Sequence, residues 1–173
     1  MATRTKLKLD LSAFAGTLVP RASIEKDGRF TLDTSSGSQL FEMNIPEGVI
    51  VQNTGKTLKM GQLTGKGTLG GYSSFSNDGK SLSNTWQVGN DEDFTFEGKV
   101  TGADSFTKLG AGRMTVSGAW DNTGAVRVND GLLLLKSAAA LGTGSLTVAA
   151  GAALMGTSKS SNPLSNSSFT VNG

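Results

Sequence analysis

The chain has no cysteine and no histidine, and each absence excludes a class of chemistry. Without cysteine there is no disulfide framework, which fits a bacterial surface protein, although a cytosolic protein can also lack cysteine. Without either residue type, a Cys-His or Ser-His-Asp relay cannot be built, and a zinc site would need carboxylates alone. We therefore expect no catalytic, cofactor or metal site of these kinds.

Charge and long apolar runs are also scarce. The formal net charge is +2 and charged residues make up 17% of the chain, with no long basic run, so a nucleic-acid partner is not expected. No apolar run reaches the length of a membrane-spanning helix. Residues 1–10 carry charges where the apolar segment of an export signal would lie. If the protein is secreted, its signal peptide is expected to be absent from this sequence.

Proline and aromatic residues are few, whereas glycine is abundant at 24 of 173 residues. Val128-Asn-Asp-Gly131 precedes an apolar run, and so does Val148-Ala-Ala-Gly151, while Val171-Asn-Gly173 is a shorter third copy. Short strands and glycine turns that recur every 20 to 30 residues or so are typical of a solenoid, in which stacked turns share one core. An all-β sandwich with glycine-rich hairpins is the alternative, but it does not explain a repeated string at a fixed interval.

These patterns predict an all-β fold: a right-handed parallel β-helix of about eight turns, at about 22 residues per turn. The glycine, any residue, glycine, polar, apolar cadence occurs three times, at 65–69, 110–114 and 142–146, and predicts structural corners. No helix is expected. We interpret residues 1–173 as one solenoid domain, with a projecting loop or hairpin near 72–85. Within it we distinguish a cap or irregular turns at 1–45, middle turns at 46–107, the clearest repeat at 108–156 and an incomplete last turn at 157–173.

The stretches Phe106–Gly118, Asn122–Leu132 and Ala140–Val148 resemble the autotransporter-associated β-strand repeat. The pattern of that family runs K-x-G-x-G-x-L-x-L-S-G, then T-G-x-x-x-V-x-x-G-x-L, then A-L-G-x-G-x-V-x-V, and Arg113-Met114 departs mildly from it. The resemblance covers about 50 residues and implies a right-handed parallel β-helix in a secreted, surface-anchored passenger region. Residues Gly61–Val100 are similar to the region that often precedes this repeat in surface proteins of Bacteroidetes.

The resemblance implies a structural or adhesive function: a stalk or passenger of a cell-surface, outer-membrane-associated protein that continues into further turns or domains. Its partners would be a host glycan or a surface protein, with no small-molecule cofactor. Two alternatives remain open, a carbohydrate-binding or polysaccharide-degrading β-helix and a phage fibre or virion decoration protein.

Three aromatic residues are candidates for glycan contact, because flat rings with a polar tip stack on sugars: Tyr72, Trp86 and Trp120. Packing at solenoid corners is the competing reading of the two tryptophans. Asp91-Glu-Asp93, with Asn90 before it, is a candidate for adventitious calcium binding, although its spacing does not fit an EF-hand. A solvated acidic corner is the default interpretation of this segment.

Overall fold

A computed structural model describes residue 13 and residues 16–20, 28–70, 83–136, 140–156 and 164–172. This part of the chain is all-β, with parallel strands stacked as a β-solenoid of about six turns. The predicted parallel solenoid is thus confirmed, whereas the count of eight turns is not. Residues 6–11, whose strict polar–apolar alternation is typical of a strand, lie outside the described residues, as does most of the loop predicted at 72–85.

Eighteen strands follow one another along the described chain. In order they are β1 (Gly16–Leu18), β2 (Arg29–Leu32), β3 (Gly37–Ile45), β4 (Ile50–Asn53), β5 (Thr57–Gly65), β6 (Thr68–Gly70), β7 (Thr85–Val88), β8 (Phe94–Phe96), β9 (Lys99–Thr101), β10 (Ser105–Lys108), β11 (Arg113–Val116), β12 (Ala119–Trp120), β13 (Val126–Val128), β14 (Leu132–Leu135), β15 (Ala140–Leu141), β16 (Leu146–Val148), β17 (Ala153–Gly156) and β18 (Phe169–Val171).

The strands form three faces. Face A stacks the first half of β5 with β7, β10, β13, β16 and β18, and face B stacks the second half of β5 with β8, β11, β14 and β17. Face C contains β2, β4, β6 and β9, followed by the pair β12 and β15. Strands β3 and β5 run through faces A and B without a break. Separate strands on faces A and B therefore begin with β7 and β8, which both pair with β5.

The register explains the repeat seen in the sequence. Phe106 pairs with Trp86 on one side and Val126 on the other, and Val126 pairs with Leu146, so equivalent positions on these four strands of face A are twenty residues apart. All four side chains are fully buried. Because side chains alternate along a strand, each turn adds one residue to an inward column, and the columns of the three faces meet in one core.

Glycines occupy the corners, as predicted, but the three copies of the glycine cadence lie at three different corners. The copy at 65–69 joins face B to face C, the copy at 110–114 joins A to B, and the copy at 142–146 joins C to A. Gly131 and Gly151 turn from face A to face B with φ of 64° and 81°, in the left-handed region that glycine adopts without strain. At Gly118 a side chain would instead collide with the carbonyl oxygen of Gly98 in the preceding turn.

Two details differ from the sequence-based expectation. The alternating run at 94–100 is not one strand, because Glu97-Gly98 is a corner that separates β8 from β9. At the end of the alanine-rich segment 137–141, Ala140-Leu141 forms strand β15, and residues 137–139 lie outside the described ranges. At the edge of the predicted loop, Asn84 is buried and Thr85 already belongs to β7.

Candidate functional site

The structure does not support a sugar-stacking role for the two tryptophans. Trp86 is 0% exposed and Trp120 is 3% exposed, because both point inward from their strands into the shared core. Neither ring face is available to a ligand, so the glycan-contact prediction is wrong for Trp86 and Trp120. Tyr72 lies outside the described residues, and its proposed contact stays a prediction.

Trp86 instead holds a buried carboxylate. Its Nε1 donates to Oδ2 of Asp104 over 2.6 Å, and the backbone amide and side-chain amide of Asn84 donate to the same carboxylate. Asp104 is 2% exposed, and burial raises the pKa of its carboxyl above the ordinary value of 3.8, although these hydrogen bonds act in the opposite direction. The group therefore fixes one turn of the solenoid to the next.

Trp120 packs in an aromatic cluster to which each face contributes one ring. Its ring centroid lies 4.7 Å from that of Phe106 on face A and 6.4 Å from that of Phe96 on face B, in tilted and edge-to-face arrangements. Aromatic pairs favour such geometries over a parallel sandwich. The cluster fills the centre of the solenoid and leaves no platform at the surface.

The acidic corner 91–93 binds backbone amides of the next turn. Oδ1 of Asp91 accepts from the amide of Ala111, and Oδ1 of Asp93 accepts from the amide of Arg113, whose guanidinium pairs with Asp93 over 2.9 Å. A shallow hollow of about 280 Å³ lies beside the corner. Within the described ranges, no group of three or more acidic side chains converges on a point that could hold a metal ion.

Lys108 is a buried cation whose place in the core the sequence patterns did not predict. It is 0% exposed, in the column of face A that contains Val88 and Val128, and its Nζ donates to the carbonyl oxygens of Leu109, Gly110 and Asp130. Desolvation lowers the pKa of its ammonium group, while the charge of Asp130 partly opposes the shift. Strict alternation from the inward Phe106 would have placed Lys108 inside, but lysine is normally read as an outward residue.

Because the two tryptophans are buried, the candidate binding surface is the regular outer surface of face A. Outward side chains stand in two parallel columns along the solenoid. The column in the middle of the strands contains Lys59, Gln87, Thr107, Arg127, Thr147 and Thr170. Two positions earlier in each turn, a second column contains Thr57, Thr85, Ser105, Ala125, Ser145 and Ser168.

Comparison with known proteins adds no relative. No family model matches the chain, and no curated protein or solved structure matches it. The resemblance to the autotransporter-associated repeat therefore stays a prediction from its motifs. In the part of the chain that is described, no helix is long and apolar enough to cross a membrane.

Proposed function

We propose that the chain is a structural and adhesive segment of a secreted or cell-surface bacterial protein, a β-helical stalk or passenger that displays and supports a binding surface. It would work without catalysis and without a cofactor. The observation that carries the proposal is the continuity of the inward columns, because one core extends from Phe30 to Val148 and joins all three faces. Such a core makes a stiff element whose length grows with each added turn.

The proposal includes a right-handed coil of about eight turns and outer-membrane-associated localisation. The handedness follows the general rule for parallel crossover connections, and the turn count follows from a repeat of about 22 residues in a chain of 173 residues. The family-like motifs at 106–148 support the surface localisation.

A further part of the proposal is that additional turns or a following domain stack on β17 and β18. Phe169 and Val171 continue the inward columns of Leu146 and Val148 but are 56% and 60% exposed. Apolar side chains in core positions favour a partner that covers them, and the register favours another parallel turn.

Surface display tests the structural role. The chain is placed between an export signal and an outer-membrane anchor, with an epitope at its outer end, and antibody access to intact cells is measured. Leu133→Asp buries a charge in the core, whereas Leu134→Asp changes the neighbouring, half-buried residue of β14 that points outward. We expect display by the parent and by Leu134→Asp, and loss of display with Leu133→Asp.

Two outcomes would count against the proposal. Failure of the exported parent chain to present the epitope would remove the stalk role. A fall in the viscosity of a polysaccharide solution on incubation with the purified chain would favour the polysaccharide-degrading alternative instead.

A further inference from the structure

The outer surface of face A carries unused hydrogen-bonding groups along its whole length, whereas the other two faces pair some of theirs. On face B, Asn44 donates to Thr64, and on face C, Arg29 donates to Gln52, which in turn donates to Thr31. On face A, by contrast, no side chain of the two outer columns makes a hydrogen bond to another side chain among the described residues. Nearly every row thus presents a free hydroxyl, amide or cationic group to solvent.

Thr107 has a nearly buried hydroxyl group in the middle column of face A. Its side chain stands in the middle column between Gln87 and Arg127, and it is only 6% exposed. Its hydroxyl has no side-chain partner within the part of the chain that the structure covers. A nearly buried polar group that opens onto the surface is suited to a ligand that supplies its partner.

The charges of face A have one sign. Lys59 and Arg127 belong to the middle column, and neither outer column contains a carboxylate. Neither cation forms an ion pair with any described residue, unlike Lys56, Lys66 and Arg113, which each pair with an acid. The two cations are three strand spacings apart, about 14 Å, on a surface about 24 Å long. A partner must therefore be extended, polar and modestly anionic.

These features select among polymers. A neutral sugar chain is usually held by aromatic stacking, but Trp86 and Phe106 of face A point inward. A nucleic acid carries about one phosphate per 3.4 Å of each strand, a charge density that two cations cannot match. A polysaccharide with carboxylate groups offers hydroxyls to the Ser and Thr rows and well-spaced anions to Lys59 and Arg127, through charge-assisted hydrogen bonds.

We propose that the outer surface of face A binds a linear polyuronate that lies along the stacking direction of the solenoid. This inference deepens the adhesive part of the proposed function by naming the class of ligand. The sugar hydroxyls exchange hydrogen bonds with the Ser and Thr rows, and the carboxylates bind Lys59 and Arg127.

Binding of the purified full chain to oligogalacturonate tests the inference by titration calorimetry. Dextran and the methyl ester of the same oligogalacturonate are the neutral controls. We expect Lys59→Gln with Arg127→Gln to weaken binding about five- to tenfold, as expected for the loss of two exposed charge contacts. The matched control is Lys99→Gln with Lys136→Gln, which removes two cations from elsewhere on the solenoid. It should bind like the parent.

A second pair of variants tests the position of the ligand. Thr147→Glu places an anion in the middle column next to Arg127, and it should weaken binding, whereas Thr147→Gln should bind within about twofold of the parent.

Three results would overturn the inference: no binding of oligogalacturonate, equal binding of the methyl ester, or equal losses in the two double variants. Binding of single-stranded DNA with the same affinity would indicate a general attraction to polyanions instead. Surface display needs no ligand, so failure of sugar binding would not contradict the stalk role. The binding assay uses the purified chain, so its result does not depend on surface display.

Discussion

Nε1 of Trp86 donates to Oδ2 of Asp104 over 2.6 Å, across two consecutive turns of the solenoid. The carboxylate also accepts from the backbone and side chain of Asn84. A tryptophan that suggests a sugar platform in the sequence therefore serves as the donor of an internal network. Burial disfavours the ionised form of its partner, the Asp104 carboxyl group, and so raises the pKa of that group.

The raised pKa of Asp104 predicts a pH dependence of stability. In the window above 3.8 and below the raised folded value, the folded state binds more protons than the unfolded state, so the free energy of unfolding decreases as pH rises. Asp104→Asn removes this titration. We expect the stability of the parent, measured relative to Asp104→Asn by urea denaturation, to be greatest below pH 3.8 and to fall towards neutral pH. Parallel pH profiles of the two proteins would contradict it.

Lys108 gives the opposite sign at alkaline pH. Its folded pKa is lowered below 10.5, so between the folded value and 10.5 the unfolded state binds more protons and the free energy of unfolding increases with pH. Lys108→Met has no titrating group at this position. Relative to this variant, the parent should gain stability as pH rises through that window, as measured by urea denaturation at a series of alkaline pH values. A constant difference between the two proteins would rule out the shift.

Much of the fold is predictable from the sequence, because residues that are one repeat apart pair with each other in neighbouring strands. Gly131 and Gly151 mark equivalent corners, and the alternation in Phe94-Thr-Phe96 marks a strand with an inward pair of rings. The periodicity also predicts the parallel stacking, since successive turns of a coil bring residues side by side at a constant interval along the chain.

The details that sequence patterns missed arise from tertiary contacts. Lys108 lies inside because three carbonyl oxygens surround its ammonium group, and no local pattern indicates them. The corner at Glu97-Gly98 needs glycine because the carbonyl oxygen of Gly67 in the preceding turn lies against it. The outer columns of face A become a surface only once the register aligns them. Polar residues scattered over a hundred positions do not otherwise indicate a site.

Tight stacking of corner glycines predicts a contrast between two alanine substitutions. At Gly118 an added Cβ would collide with the carbonyl oxygen of Gly98, whereas at Gly156 nothing lies within 4 Å. Gly118→Ala should lower the free energy of unfolding by about 1 to 3 kcal/mol, the usual cost of overpacking. Gly156→Ala should change it by less than about 0.5 kcal/mol. Urea denaturation monitored by circular dichroism measures both, and equal effects would show that the corners can relax.

The register predicts that the solenoid tolerates loss of one whole turn but not of half a turn. Deleting residues 126–145 joins Ala125 to Leu146, the residue that pairs with Val126, and removes one strand from each face. Ala150 then takes the position of Asp130, so Lys108 keeps a carbonyl acceptor. Deleting residues 126–135 removes β13 and β14 but leaves β15, so the following strands no longer match their columns.

The whole-turn deletion should keep a cooperative urea transition and shorten the particle by one strand spacing, about 4.8 Å, in small-angle scattering. The half-turn deletion, although it removes fewer residues, should lose much of its β-sheet circular dichroism signal, because the inward columns after residue 125 would face the wrong neighbours. If the shorter deletion were the better tolerated, the stacking order of faces A, B and C would be wrong. In a coil, stability depends more on whether a deletion removes a whole turn than on how many residues it removes.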